Sequence, residues 1–358
     1  MTPHYSKIHN RFKLNGLHYN REALKEVAYS LIKEGESHEK SIGDFLIDWL
    51  NDKDFVFVKT SGSTGAPKII RLQKQTMVNS AIATGDFFKL EPGHKALHCL
   101  PSEYIAGKMM LVRALILGLE IDYVQPTTMP VFDTTTPYDF CAMIPLQVHH
   151  CIDRVNTMRT IIIGGARVPK DLIEDMQSKT TRFFETYGMT ETATHVALKR
   201  LNGEVGDDLF TALPGVTFEK DQRDCLVISA PSLVEEVLIT NDVVDLMSDK
   251  EFVWLGRYDN VINSGGLKLF PERIEGKLQN CIQERYIIAS EPDETLGEQL
   301  ILIVENPNDS IEAIQSKLAS VKALNKHEIP KKIYAVDAFS ETDNGKIQRK
   351  HTVSIALD

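Results

Sequence analysis

Residues 160–188 read TIIIGGARVPKDLIEDMQSKTTRFFETYG. Residues 160–166 and 181–188 are apolar runs of strand length, and 169–178 between them is helix-like. Strands apolar on both faces that alternate with helices form a largely parallel sheet covered on both sides. The pattern extends upstream. Residues 54–60, 68–73, 95–101, 121–126 and 139–145 read as strands, and 74–90 and 106–120 as helices. Downstream of about residue 195 short strands dominate (VALKRL, VTFEK, CLVISA, EEVLIT, EFVWLG), the mark of a β-rich subdomain. After GRYDN the chain is mixed again, with helices near 271–282 and 310–323 and strands at YIIAS, QLILIVEN and KKIYAVD. The expected architecture is a large α/β domain over 1–258 and a small α+β domain over 259–358.

The bulk composition bounds the function. The 358 residues suffice for two domains, with 42% hydrophobic and 25% charged residues, as in ordinary globular proteins. A net charge of −10 argues against general affinity for nucleic acid or an anionic membrane. No apolar run approaches the roughly 20 residues of a membrane helix, and the first residues carry no apolar signal core. Cys99, Cys141, Cys151, Cys225 and Cys281 form no CxxC or zinc-like spacing and read as reduced thiols. The expected location is therefore cytoplasmic.

Five stretches carry chemistry. In VKTSGSTGAPKII (58–70), Gly62 and Gly65 permit close backbone approach. Thr60, Ser61, Ser63 and Thr64 offer hydroxyls and Lys68 a cation, a set suited to a polyphosphate. The plain alternative is a surface hairpin loop. In FFETYGMTETATH (183–195), a strand runs into a loop bearing Thr186, Tyr187, Gly188, Thr190 and Glu191. Such loops lie where parallel sheets bind ligands. Glu191 suits Mg²⁺ and Thr190 a phosphate; a helix cap is the alternative. Asp242 in LITNDVVDL is placed to accept from ribose hydroxyls, or is a turn residue. WLGRYDNVINSGGLKLFPERIE (254–275) supplies Arg257, Asp259, Gly265 and Gly266. ETDNGKIQRK (341–350) presents Lys346 after a tight turn, where a solvated basic tail is the alternative.

In this order and spacing the stretches resemble the adenylate-forming enzymes: acyl- and aryl-CoA ligases, luciferases and peptide-synthetase adenylation domains. The resemblance covers roughly residues 55–350 and implies the following roles. Thr60, Ser61, Gly62, Ser63, Thr64, Gly65 and Lys68 hold the β- and γ-phosphates of ATP. Gly164, Gly165 and Ala166 form the adenine-side strand end. Tyr187 stacks near adenine beside Thr186 and Gly188, Thr190 meets the α-phosphate, and Glu191 binds Mg²⁺. Asp242 and Arg257 hold the ribose. Lys346 offsets the repulsion between substrate carboxylate and α-phosphate. The small domain then turns about Asp259, and the Gly265–Gly266 face replaces Lys346 beside a channel for coenzyme A.

Three features depart from the family pattern. TND stands for TGD, and Asn tolerates the left-handed conformations Gly favours. SETDNGK lacks the usual proline-led approach. Little chain precedes the phosphate loop, so much of the usual N-terminal subdomain is expected to be absent, and a partner subunit is one way of completing the acyl pocket. That pocket should include Tyr104 and Lys108, from LPSEYIAGK, and Arg113. Arg113 sits in a helix apolar nearly all round and must find an anion. A structural carboxylate or a second carboxylate of the substrate would serve. With YGMTETATHVALK, this stretch resembles the compact bacterial 2-succinylbenzoate–CoA ligases of menaquinone synthesis. The expected ligands are a carboxylic acid, ATP, Mg²⁺ and coenzyme A, in a monomer or homodimer. Another acyl- or aryl-CoA ligase, a carrier-loading enzyme and a non-catalytic nucleotide binder are the alternatives.

Overall fold

The computed structural model describes residues 2–59, 69–203, 208–234, 236–279, 281–341 and 347–358. Its main feature is a 13-stranded sheet. Five central strands run parallel, in the order Glu120–Tyr123, Lys95–His98, Phe140–Met143, Thr160–Ile163 and Arg182–Gly188. His195–Arg200 then pairs antiparallel with Arg182–Gly188. From there Leu209–Ala212, Glu251–Arg257, Leu238–Ser248, Cys225–Ser229 and Thr217–Lys220 continue the sheet outward, each antiparallel to its neighbour. The β-rich stretch is thus an extension of the same sheet.

The helix Ile105–Leu117 has no polar side, and Gly107 and Met109–Ile116 are all buried. It ends at Gly118, whose φ of 74° is a left-handed conformation open to glycine at little cost. It packs on the helix Lys74–Phe88. Gly85 permits that approach, since a Cβ there would lie 2.8 Å from Leu117 Cδ2. The hairpin Phe55–Lys59/Ile69–Gln73 forms a separate two-stranded sheet.

The short N-terminal region is itself folded. Helices Arg21–Glu34 and Ser37–Leu50 pack together. Ile42, Phe45, Leu46, Trp49 and Leu50 of the second bury one face in the main core. Burial of each such side chain contributes about 1.5–3 kcal/mol. Lys13–Leu14 extends the large sheet by pairing parallel with Glu120 and Ile121.

A second sheet, of Ile262–Ser264, Leu267–Leu269, Tyr286–Asp293, Gly297–Glu305 and Lys332–Val336, has its own apolar clusters on both faces. Its helix Pro271–Leu278 rests against the large sheet: Arg167 Nη1 donates to Glu272 O at 2.7 Å. Lys170 N donates to Gln279 Oε1 at 3.2 Å. Gly276 makes room for the guanidinium, because a Cβ there would meet Arg167 Nη2 at 2.5 Å. No helix among the described residues is long and apolar enough to cross a membrane.

Candidate active site

The C-terminal ends of the parallel strands carry the expected loops. Beyond Ile163, Gly164 faces Thr186: an added Cβ would lie 2.7 Å from Thr186 Oγ1, which itself donates to Ile163 O at 3.0 Å. Gly165 has φ +89° and so needs glycine, and exposed Ala166 follows. Arg182–Gly188 ends in a tight turn, Thr190–Thr192. Gly188 is crossed at close range, since a Cβ would lie 2.4 Å from Thr194 O. Ala193 holds φ 63° and ψ −44°, a strained conformation for a residue with a side chain. Glu191 projects exposed from this turn, and Thr190 is half-buried beside it.

Tyr187, Asp242 and Arg257 come together. Tyr187 OH donates to Asp242 Oδ2 at 2.7 Å, and its ring packs on Phe252 and Phe210 at 5.1 and 5.7 Å. Burial first, then the Asp242 charge, raises the phenol pKa well above its ordinary value, so the hydroxyl stays a donor. Asp242 and Arg257 are cross-strand partners, with Arg257 Nη1 3.5 Å from Asp242 Oδ1. Trp254 Nε1 donates to the same oxygen at 3.1 Å, a contact that motif reading missed. A carboxylate has about four acceptor sites, so Asp242 keeps capacity for ribose hydroxyls. Asp259 lies in the turn Tyr258–Asn260, 3.8 Å from Arg257 Nη2 and 3.4 Å from Asn241 Nδ2.

Arg113 is 1% exposed. Burial lowers its pKa to about 9, which leaves it charged at neutral pH. Its Nη2 donates to Thr194 Oγ1 at 3.4 Å and its Nη1 to Met110 Sδ at 3.8 Å, while the Phe140 ring lies 5.8 Å away. Its Nε has no partner, and among the described residues no carboxylate pairs with it. The structural carboxylate expected as one alternative is not found among the described residues. Lys108 is turned away, donating to Ser102 O at 2.8 Å and lying over the Phe45 ring, and burial lowers its pKa. Tyr104 is exposed and forms a bridge with Lys59 at the foot of the hairpin. Neither shares a hydrogen bond with Arg113 among the described residues.

Thr60, Ser61, Gly62, Ser63, Thr64, Gly65 and Lys68 lie outside the described residues, but their anchors, Lys59 and Ile69, are paired across the hairpin. Lys346 also lies outside them, between Glu341 and Ile347, which bridge each other. Gly265 and Gly266, at φ 57° and 81°, form the turn joining Ile262–Ser264 to Leu267–Leu269. Beside Gly265 is a cavity of about 190 Å³ lined by Leu267, Leu296, Lys326, His327 and Lys331.

For Mg²⁺ the donor set fits. Glu191 offers an exposed carboxylate with no hydrogen bond among the described residues, and Thr190 a hydroxyl beside it. The carboxylate is the hard oxygen donor this ion takes, and the hydroxyl suits a phosphate oxygen.

Residues 22–217 match the family model described as AMP-binding enzyme. A 2-succinylbenzoate–CoA ligase of Lactococcus lactis is 25% identical over 326 residues, covering 85% of this chain and 71% of that protein. The chain spans as little as 58% of other curated relatives of that description. An acyl-CoA synthetase (AMP-forming)/AMP-acid ligase II-like protein of Dyadobacter fermentans is 34% identical, with TM-score 0.62, covering 92% of this chain and 97% of that one. An o-succinylbenzoate–CoA synthetase of Bacillus subtilis, solved with ATP and magnesium, shares the fold at TM-score 0.69 and 17% identity, covering 93% of this chain and 82% of that one.

Proposed function

Since the chain belongs to the AMP-binding enzyme family, we propose that it is an ATP-dependent acid–CoA ligase whose acid is 2-succinylbenzoate. In the first half-reaction a substrate carboxylate oxygen attacks the α-phosphorus of ATP and pyrophosphate leaves, giving an acyl-adenylate. In the second, the coenzyme A thiol attacks the acyl carbon, loses its proton and expels AMP. Asp242, oriented by Tyr187, Trp254 and Arg257, takes the ribose hydroxyls. The open edge at Gly164–Ala166 takes the adenine face. The loop 60–68 takes the β- and γ-phosphates, and Lys346 lies between the two negative reactants. Thr190 meets the α-phosphate, and Glu191 would hold Mg²⁺, which when bound neutralises phosphate charge. Residues 259–358 act as a mobile unit hinged at Asp259, bringing Lys346 and then Gly265–Gly266 to the site.

The observation that carries the substrate assignment is Arg113. A buried guanidinium with an orphaned Nε and no carboxylate partner among the described residues calls for an anion. Through Thr194 it touches the loop that bears Thr190 and Glu191. The second carboxylate of a dicarboxylic acid suits that position, and curated relatives carry the name of a ligase of such an acid.

ATP–pyrophosphate exchange with 2-succinylbenzoate, benzoate and a medium-chain fatty acid, followed by addition of coenzyme A, tests the reading. Exchange confined to 2-succinylbenzoate, with thioester formed on adding the thiol, is expected. Lys346→Ala should lose adenylation by about two to three orders of magnitude while still binding ATP. Exchange with a different acid alone would remove the substrate assignment, and exchange with none would remove it too and shift weight to a missing partner subunit or a non-catalytic role.

A further inference from the structure

Arg113 is the first member of a largely buried chain of hydrogen bonds whose donors can be assigned. Its Nη2 only donates, so Thr194 Oγ1 accepts at 3.4 Å. At the far end Thr84 Oγ1 lies 2.9 Å from Ser80 O and 3.4 Å from His195 Nε2. A hydroxyl has one proton, and the carbonyl is the nearer acceptor, so Thr84 gives it to Ser80 O. Thr84 therefore accepts from His195, and Nε2 carries the hydrogen. The other ring nitrogen, Nδ1, then presents a lone pair to Thr194 Oγ1 at 3.3 Å, and Thr194 donates to it. That leaves the Thr194 lone pairs turned to Arg113. Every donor in the series points one way, from Arg113 through Thr194, His195 and Thr84 to the Ser80 carbonyl.

The ring suits this role in three ways. His195 is 4% exposed and sits at the start of the strand His195–Arg200, where Gly188 lets it approach. Burial, and then the Arg113 charge, hold its pKa well below the ordinary value, so it is neutral. A neutral imidazole presents one donor and one acceptor, the pair the chain requires. Two cations side by side would repel.

We propose that His195 is a positioning residue for acid selection: by fixing the Thr194 hydroxyl it holds the Arg113 guanidinium toward the second carboxylate of the substrate. This rests on the reading of Arg113 given above. A Leu in place of His195 keeps bulk but neither ring nitrogen, whereas a Gln keeps one donor and one acceptor.

The experiment is steady-state kinetics of the full chain with 2-succinylbenzoate and with its two analogues, each lacking one carboxylate. His195→Leu should raise KM for 2-succinylbenzoate about tenfold, the equivalent of ~1.4 kcal/mol and of one charge-assisted hydrogen bond. KM for ATP, and for whichever analogue is turned over, should stay within twofold, and His195→Gln should recover most of the loss. Equal losses for all acids and ATP, no loss at all, or a Gln variant no better than Leu would each overturn the proposal. Arg113→Gln separates the two levels. If it leaves KM for 2-succinylbenzoate unchanged, the assignment of Arg113 fails and takes the proposal with it. If it raises that KM while His195→Leu does not, only the role of His195 fails. NMR of the histidine ring nitrogens in the unaltered protein gives a test free of folding defects: a His195 protonated on Nε2 alone is expected, and one protonated on Nδ1 would overturn the proposal.

Discussion

His98 shows what burial does to one titratable side chain. Its Nε2 lies 2.8 Å from Ser102 Oγ, its Nδ1 has no partner, and burial lowers its pKa from 6.5 to about 4. The folded value lies below the unfolded one, so as pH falls the unfolded chain takes up the proton first. Stability from this group is therefore intact above pH 6.5 and declines toward pH 4. The loss at the lower end is about 3 kcal/mol. His195 acts with the same sign. Urea unfolding at pH 7 and pH 5 should show a clear drop, and His98→Gln, which keeps a donor for Ser102 but cannot titrate there, should make the drop smaller. An equal drop in the variant would place the acid sensitivity elsewhere. At this scale one cluster of the candidate site was legible in sequence. Tyr187, Asp242 and Arg257 stand in recognisable runs, and their side chains meet. Trp254, Thr194, His195 and Thr84 were not singled out, because each looks like an ordinary strand or helix residue until the sheet brings its partner across.

Among the elements, the helix Ile105–Leu117 sets two glycine rules against each other. Helix propensity favours Ala over Gly by up to about 1 kcal/mol. At Gly107, however, a Cβ would lie 2.2 Å from Pro101 O and 2.6 Å from its carbonyl carbon, backbone atoms that cannot swing aside. The clash is the larger effect, and Gly107→Ala should cost about 2 kcal/mol or more. A lower urea midpoint with an unchanged slope is the expected sign; a raised midpoint would mean that propensity dominates. This helix was readable because its apolar character is unbroken. The N-terminal helices carry readable signals too: Asn20 caps Arg21–Glu34 through the Ala23 amide, and residues 42, 45, 46 and 49 of the next helix recur at the spacing of one face.

For the whole molecule, alternation of strand and helix was enough to foresee the parallel half and the separate C-terminal sheet. It was not enough to show that the strands after His195 add to the same sheet. Strand partners depend on which edge lies open nearby, and Arg182–Gly188 offers one. Nor could periodicity show the Arg167 contact on Pro271–Leu278, which joins residues 105 positions apart.

The two halves of the large sheet also differ in how soon the chain can build them. Glu251–Arg257, Leu238–Ser248, Cys225–Ser229 and Thr217–Lys220 pair with neighbours in sequence, by connections much shorter than a crossover. The parallel half joins segments separated by whole crossovers, and its outer strand Lys13–Leu14 must find Glu120 and Ile121. Longer closures cost more entropy before any contact repays it. The antiparallel half is thus the expected nucleus, with Arg182–Gly188, a member of both halves, as the strand on which the rest is assembled. Pulse-labelled hydrogen exchange during refolding should protect residues 217–257 before residues 95–163. The reverse order would make the crossover helices, rather than the hairpins, the starting point. An emerging chain has its parallel strands first but its nucleus last, so it stays unfinished until residue 257 is made.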